Sequence, residues 1–208
     1  VPKGVYMKFK EVQIRKTLCP PVSADIKSSA SQRQCPGVAD TSVRMSQTRK
    51  AAITLSQAAT TALSFGYAAP FSICAWYHPQ ANGSAMGGTI LSKFNEGVGG
   101  EYVLAVDRFG FVQFVRAAAG SVVKSTVALP RNAYTHIAAV YDGIAMFVYL
   151  NGTLVGQKAA SPQARDQKTD VLVGAAHHDG QPARFLEGNL DDLHVWNVAR
   201  TRKQILEE

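Results

Sequence analysis

The stretch Phe147-Val148-Tyr149-Leu150-Asn151-Gly152-Thr153-Leu154-Val155 is where the fold declares itself. Two runs of aromatic and aliphatic residues flank Asn-Gly, a pair that accepts the positive φ angles of a two-residue hairpin turn. The same punctuation repeats outward. Strand-like runs are predicted at 51–55, 71–77, 89–93, 101–106, 111–117, 122–128, 135–141, 146–150, 154–158, 171–174 and 190–196. Asp107-Arg108-Phe109-Gly110 and Asp142-Gly143 supply turn chemistry between them. Short strands about ten residues apart predict an antiparallel sandwich or barrel. One helix is expected, at the end, where Thr201-Arg202-Lys203-Gln204 matches a capping box and Ile205 and Leu206 can pack back.

Composition agrees with a folded domain. Of 208 residues, 46% are hydrophobic and 18% charged, too apolar for wholesale disorder. Between Lys50 and Lys93 only His78 among the Lys, Arg, Asp, Glu and His types occurs, yet Ser, Thr, Gln, Gly and Pro interrupt that stretch throughout. No transmembrane segment is expected. The chain begins at Val1 without a Met, which reads as a processed or trimmed product.

The net charge of +7 is localised. Residues 1–50 hold ten Lys or Arg against Glu11, Asp25 and Asp40, whereas the remainder carries equal numbers of basic and acidic residues. Residues 1–45 therefore read as a basic, irregular N-terminal arm suited to an acidic surface, and 46–208 as the body. Within the arm, residues 8–14 alternate and could add a strand to another surface. No aromatic interleaving or fold motif points to nucleic acid. Cys19 and Cys35 bracket a Ser-rich stretch and could close a disulfide loop, stabilising by roughly 3 kcal/mol. Cys74 lies in an apolar run and reads as a small buried hydrophobe.

Four segments in order resemble the LamG-like jelly-roll domains of the laminin G, pentraxin and concanavalin A-like superfamily. They are Pro70-Phe71-Ser72-Ile73-Cys74-Ala75-Trp76-Tyr77-His78-Pro79, the Ala133–Gly143 strand with Tyr134-Thr135-His136-Ile137-Ala138, the Tyr149-Leu150-Asn151-Gly152 hairpin, and Gly188-Asn189-Leu190-Asp191-Asp192-Leu193-His194-Val195-Trp196. The resemblance covers about residues 51–208 and implies an all-β, two-sheet jelly-roll sandwich with a short C-terminal helix.

The resemblance also directs attention to a metal. Many relatives bind calcium at the sandwich rim, and Asp191 matches a closing-strand carboxylate of that pattern. However, Met45-Ser46-Gln47-Thr48-Arg49-Lys50-Ala51 stands where relatives often carry acidic residues, and two cations there disfavour calcium. No cofactor is expected. His177-His178-Asp179-Gly180 has no third ligand at metal spacing and reads as a solvated loop, while His136 and His194 read as structural. Glucanase relatives place alternate carboxylates on one strand, an arrangement missing here. Asp107, Asp142, Asp166 and Asp170 fall at turns or loop ends, and no Gly-x-Ser-x-Gly elbow occurs, so the chain is not expected to be an enzyme.

These readings describe a non-catalytic recognition or adhesion module that binds glycan, glycoprotein or a protein partner through loops. Tyr67, Tyr77, His78, Asn82 and Arg108 are the candidate contacts. The alternative is a structural subunit of a larger assembly, held there by its basic arm. An extracellular or secreted setting is expected, with an intracellular or organellar complex as the alternative. Asn82-Gly83-Ser84 and Asn151-Gly152-Thr153 are sequons, the second explained equally by its hairpin.

Overall fold

The computed structural model of the chain describes residues 4–6 (as backbone), 42–80, 86–116, 121–166 and 168–207. In chain order the strands are β1 (Gly4–Tyr6), β2 (Val43–Met45), β3 (Ile53–Thr54), β4 (Phe71–Pro79), β5 (Gly88–Glu96), β6 (Gly99–Val106), β7 (Phe111–Arg116) and β8 (Ser121–Ala128). They continue with β9 (Thr135–Tyr141), β10 (Ala145–Leu150), β11 (Thr153–Ala159), β12 (Leu172–Val173), β13 (Ala176–His178), β14 (Gln181–Ala183) and β15 (Gly188–Trp196). Helix α1 (Gln57–Ala62) lies between β3 and β4, and α2 (Arg202–Leu206) follows β15.

The strands form two sheets, ordered β1-β15-β4-β9-β10-β11 and β14-β13-β5-β6-β7-β8, with β2 paired to β15 and β12 bridging β3 and β5. All pairings are antiparallel except that of β13 with β5. Alternation puts Phe71, Ile73, Ala75 and Tyr77 of the first sheet and Tyr102, Leu104, Val106 and Phe114 of the second into one core. The edges β8 and β11 meet. Thr126 Oγ1 donates to Val155 O at 3.0 Å, and Gly156 lies so close to Lys124 O that a Cβ would clash.

The Asn151-Gly152 hairpin forms as expected, with φ of 48° and 71° at the turn. The C-terminal capping box also forms: Thr201 Oγ1 accepts from Gln204 N, and Gln204 Oε1 accepts from Thr201 N. Ile205 then packs on the outer face of the first sheet against Cys74, Ala138, Val140 and Trp196. Cys74 is buried there.

The fold differs from expectation at two places. Helix α1 was not foreseen, because six residues are too few to display a helical period. Ser56 starts it by accepting the Ala59 N–H. His177-His178-Asp179-Gly180 is exposed from His178 onward, as expected of a solvated segment, but it forms a hairpin rather than a loop, with Asp179 and Gly180 at φ 48° and 75° joining β13 to β14.

The outer edge of β15 receives two strands on either side of a bulge. β1 pairs with His194–Trp196 and β2 with Gly188–Leu190, while Asp192 adopts φ 41° between them. Met45 of β2 is part of the core. The Cys19–Cys35 pairing and the 8–14 strand lie outside the described residues.

Candidate functional site: a clamped loop at one end of the sandwich

Lys93, Glu101 and Arg116 have no exposed surface. Such side chains are almost never fully buried unless their charge is answered. Here all three spend their hydrogen bonds on two loops at one end of the sandwich. Glu101 accepts from Ser64 Oγ, from Phe65 N at 2.5 Å and from Asp166 N at 2.8 Å. Arg116 donates to Phe65 O at 3.1 Å and Tyr67 O at 3.2 Å. Lys93 Nζ donates to Thr169 O at 2.6 Å. Burial pulls the Lys93 and Arg116 pKa values below their ordinary ranges, with the Glu101 charge opposing the shift in both.

Aromatic packing supplies the floor. Phe65 stacks on Phe71 with ring centroids 4.6 Å apart, and Phe71 meets Tyr102 and Phe114 at 5.3 and 5.8 Å. The Arg116 guanidinium lies 4.4 Å from the Tyr141 ring centroid and 5.3 Å from that of Phe71. Tyr102 Oη donates to Leu63 O at 3.1 Å.

Residues 63–67 are thus fixed at nearly every backbone group, and Tyr67 stands at the top. Its N–H donates to Gln163 O and its carbonyl accepts from Gln163 N, in an isolated antiparallel bridge. Its φ is 57°, a left-handed conformation uncommon for a bulky residue and costing about 1–2 kcal/mol. The side chain is 70% exposed. Ile144, 76% exposed on the β9–β10 turn, sits at the same end, where Gly143 packs on Ala68 O and Ala160 N donates to Ile144 O. An exposed aromatic side chain on a fixed backbone can stack on a ligand without the cost of ordering its loop.

The other expected contacts lie elsewhere. Tyr77 requires correction: its ring is fully buried in the core and its hydroxyl donates to Glu187 O at 2.6 Å, because Tyr77 shares the inward face of β4 with Phe71, Ile73 and Ala75. Burial raises its pKa. His78 and Arg108 are at the opposite end from Tyr67, where Gly87 touches the carbonyls of Val106 and Asp107 and bridges Glu187. His78 packs against Tyr134 with ring centroids 4.9 Å apart. The Arg108 guanidinium covers the Phe109 ring at 4.7 Å, so that aromatic face is already occupied. Asn82 lies outside the described residues.

Asp191 is buried on the outer face of the first sheet, beside Trp76 and, one strand further, His136. Among the described residues no group of three or more His, Cys, Asp or Glu stands together as a metal site. The early segment carries Gln47, whose N–H donates to Glu187 Oε2 at 2.8 Å. His136 is buried, and burial with the neighbouring His194 holds its pKa down to about 4. His178 Nδ1 lies 3.1 Å from Glu96, which also receives Arg184 Nη2. Three of the turn carboxylates serve their own turns: Asp107 accepts from Phe109 and Phe111 N–H, Asp142 from Ile144 and Ala145, and Asp166 from Lys168 and Thr169.

The family model of the concanavalin A-like lectin/glucanases superfamily, of laminin G type, matches residues 51–206. The chain belongs to this superfamily. Within it, the superfamily match and the two-sheet order together account for the sandwich. The chain is 31% identical over 81 residues to Pappalysin-1 of Mus musculus, covering 36% of this chain and 5% of that protein, so it spans a small part of that relative's length. Solved structures of similar fold include the carbohydrate-binding module CBM40 of Ruminococcus gnavus IT-sialidase, bound to α2,3-sialyllactose. It has 14% identity and a TM-score of 0.56 over 68% of this chain and 82% of that one. The heptameric SAP-like pentraxin of Limulus polyphemus matches with 18% identity and a TM-score of 0.51 over 69% and 70%.

Tyr67 was legible as an aromatic in a loop. Arg116, Glu101, Lys93 and Gln163 were not singled out by sequence reasoning. For the three charged residues the signal is a charge in or beside a strand-like apolar run, as in Ser92-Lys93-Phe94 and Val115-Arg116; neutral Gln163 carries no such signal.

Proposed function

We propose that the chain is a non-catalytic recognition module that binds glycan on the face presented by Tyr67. The observation that carries this reading is the investment beneath one exposed ring: two fully buried charged side chains, Glu101 and Arg116, and a left-handed backbone, all converging on residues 63–67. A strained backbone persists only where the surrounding structure over-determines it, and such residues cluster at functional sites. Superfamily membership supports a sugar as ligand, since lectins are among its members. Commitment of the turn carboxylates to their own amides supports binding rather than hydrolysis, which needs a free pair flanking one bond. The reading implies an extracellular or secreted setting, where glycans are displayed.

The test is a glycan array on the wild-type chain and on Tyr67→Ala. We expect signal on a defined sugar class and its loss in the variant, with unchanged thermal stability because the ring is exposed. Equal signal from both proteins, or none from either, would sink the proposal.

One observation favours the structural-subunit reading. Pairing of β1 with β15 ties the start of the basic region to the sandwich edge, so a partner bound by that region would be coupled to a rigid body. Chain lacking residues 1–41 should then be lost from any native assembly that retains the full chain.

A further inference from the structure

Arg165 belongs to the segment that packs on Gly66, the residue before Tyr67. Its aliphatic stem packs on Gly66, occupying the space a Cβ would take, so this glycine is needed for the side chain to lie there. The residue is exposed. It makes no hydrogen bond or ion pair with any described residue, in contrast to Arg184, which is paired with Glu96, and Lys124, which is paired with Asp107. The nearest carboxylate in sequence, Asp166, is turned into its own loop, where Oδ1 accepts from Lys168 N at 2.8 Å and Thr169 N at 3.2 Å. Below the loop, the buried cations Arg116 and Lys93 are answered by buried Glu101 and, around Lys93, by half-buried Asp166 and Asp170. Exposed Lys168 adds a positive charge nearby; the exposed anions at this end are Asp142 on the β9–β10 turn, whose Oδ1 accepts two amide hydrogens, and Asp179, which lies against Gly97 and beside His178.

Resting on the reading of Tyr67 as a sugar platform, we propose that Arg165 makes this site selective for acidic saccharides, with the ring stacking on the sugar and the guanidinium receiving its anionic group. A guanidinium donates two parallel hydrogen bonds to a carboxylate or sulfate, and packing of the Arg165 Cβ and Cγ on Gly66 reduces the entropy lost in doing so. A neutral sugar would use the ring and leave the cation idle.

The experiment is calorimetric titration of the full chain with three oligosaccharides of equal length: one bearing uronic acid carboxylates, one sulfated, one neutral. It is repeated with Arg165→Gln, Tyr67→Ala and, as a charge control, Lys168→Gln. The wild type should bind at least one acidic ligand about tenfold or more tightly than the neutral one, with affinity falling as salt rises. Arg165→Gln should remove that preference while leaving neutral binding within about twofold, and Lys168→Gln should preserve most of it. The carboxylated and sulfated arms show which anion is read. Equal wild-type affinity for all three ligands, or an acidic preference that survives Arg165→Gln, overturns the inference and leaves the Tyr67 reading standing. Binding unaffected by Tyr67→Ala defeats that underlying reading instead.

Discussion

Arg116 takes a guanidinium out of water and, among the described residues, meets two loop carbonyls and two aromatic faces rather than a carboxylate. Burying a charge on those terms is costly, and the return is shape: the carbonyls of Phe65 and Tyr67 are held in the one arrangement that turns the Tyr67 ring outward. Arg116→Leu fills the same apolar space and abandons both carbonyls. It should lower unfolding free energy by about 2 kcal/mol in urea titration, because unpaired buried acceptors cost about 1–3 kcal/mol each while relief of the buried charge gives part of that back. Ligand binding should fall further than stability does. Retention of full affinity in a stably folded Arg116→Leu chain would show that Tyr67 holds its place without the clamp. Tyr67 itself was open to sequence reasoning as an aromatic near Gly66 and Pro70. The clamp was not, since Phe65, Glu101, Arg116 and Gln163 are brought together across four separate segments.

At the scale of elements, local chemistry decided most of what formed. The Asn151-Gly152 turn and the Thr201 capping box follow from side chains within four residues of one another, which is why both could be read directly. Helix α2 draws the rest of its stability from Ile205, inserted against Cys74, Ala138 and Val140. Thr201→Ala should cost about 1 kcal/mol by releasing the first-turn N–H, and Ile205→Ala about 2–4 kcal/mol by leaving a void. Both should red-shift emission from Trp196, which belongs to the same cluster. An unchanged spectrum in Ile205→Ala would mean that the helix does not seal that face. Helix α1, β13 and β14 escaped notice because each is too short to show a period. Asp179-Gly180 did carry a hairpin signal, but its flanking strands are three residues each, and the paired histidines drew the reading toward a loop.

For the molecule as a whole, a loss of stability in acid is expected from one buried group. His136 is buried beside Trp76 and His194 with its pKa held down to about 4, below the ordinary 6.5. The unfolded chain therefore binds a proton that the folded chain refuses between those values, and stability must fall as pH drops from about 6.5 toward 4. The loss attributable to this group is on the order of 3 kcal/mol, complete below pH 4 and absent above pH 7. Urea midpoints across that range should show the slope, and His136→Gln should flatten it. A wild-type profile level from pH 7 to 4 would contradict the burial of this imidazole.

The amino-acid order alone determined the layered β architecture, the last helix and the concentration of positive charge before residue 50, because alternation, turn residues and charge are local properties that survive without a partner segment. Only the folded chain decided that Tyr77 faces inward, that His78 and Arg108 stand at the end away from Tyr67, and that Arg165 lies against Gly66. Those facts depend on register and on which loops close over which strand ends, and residues from 63 to 169 have to meet before any of them exists.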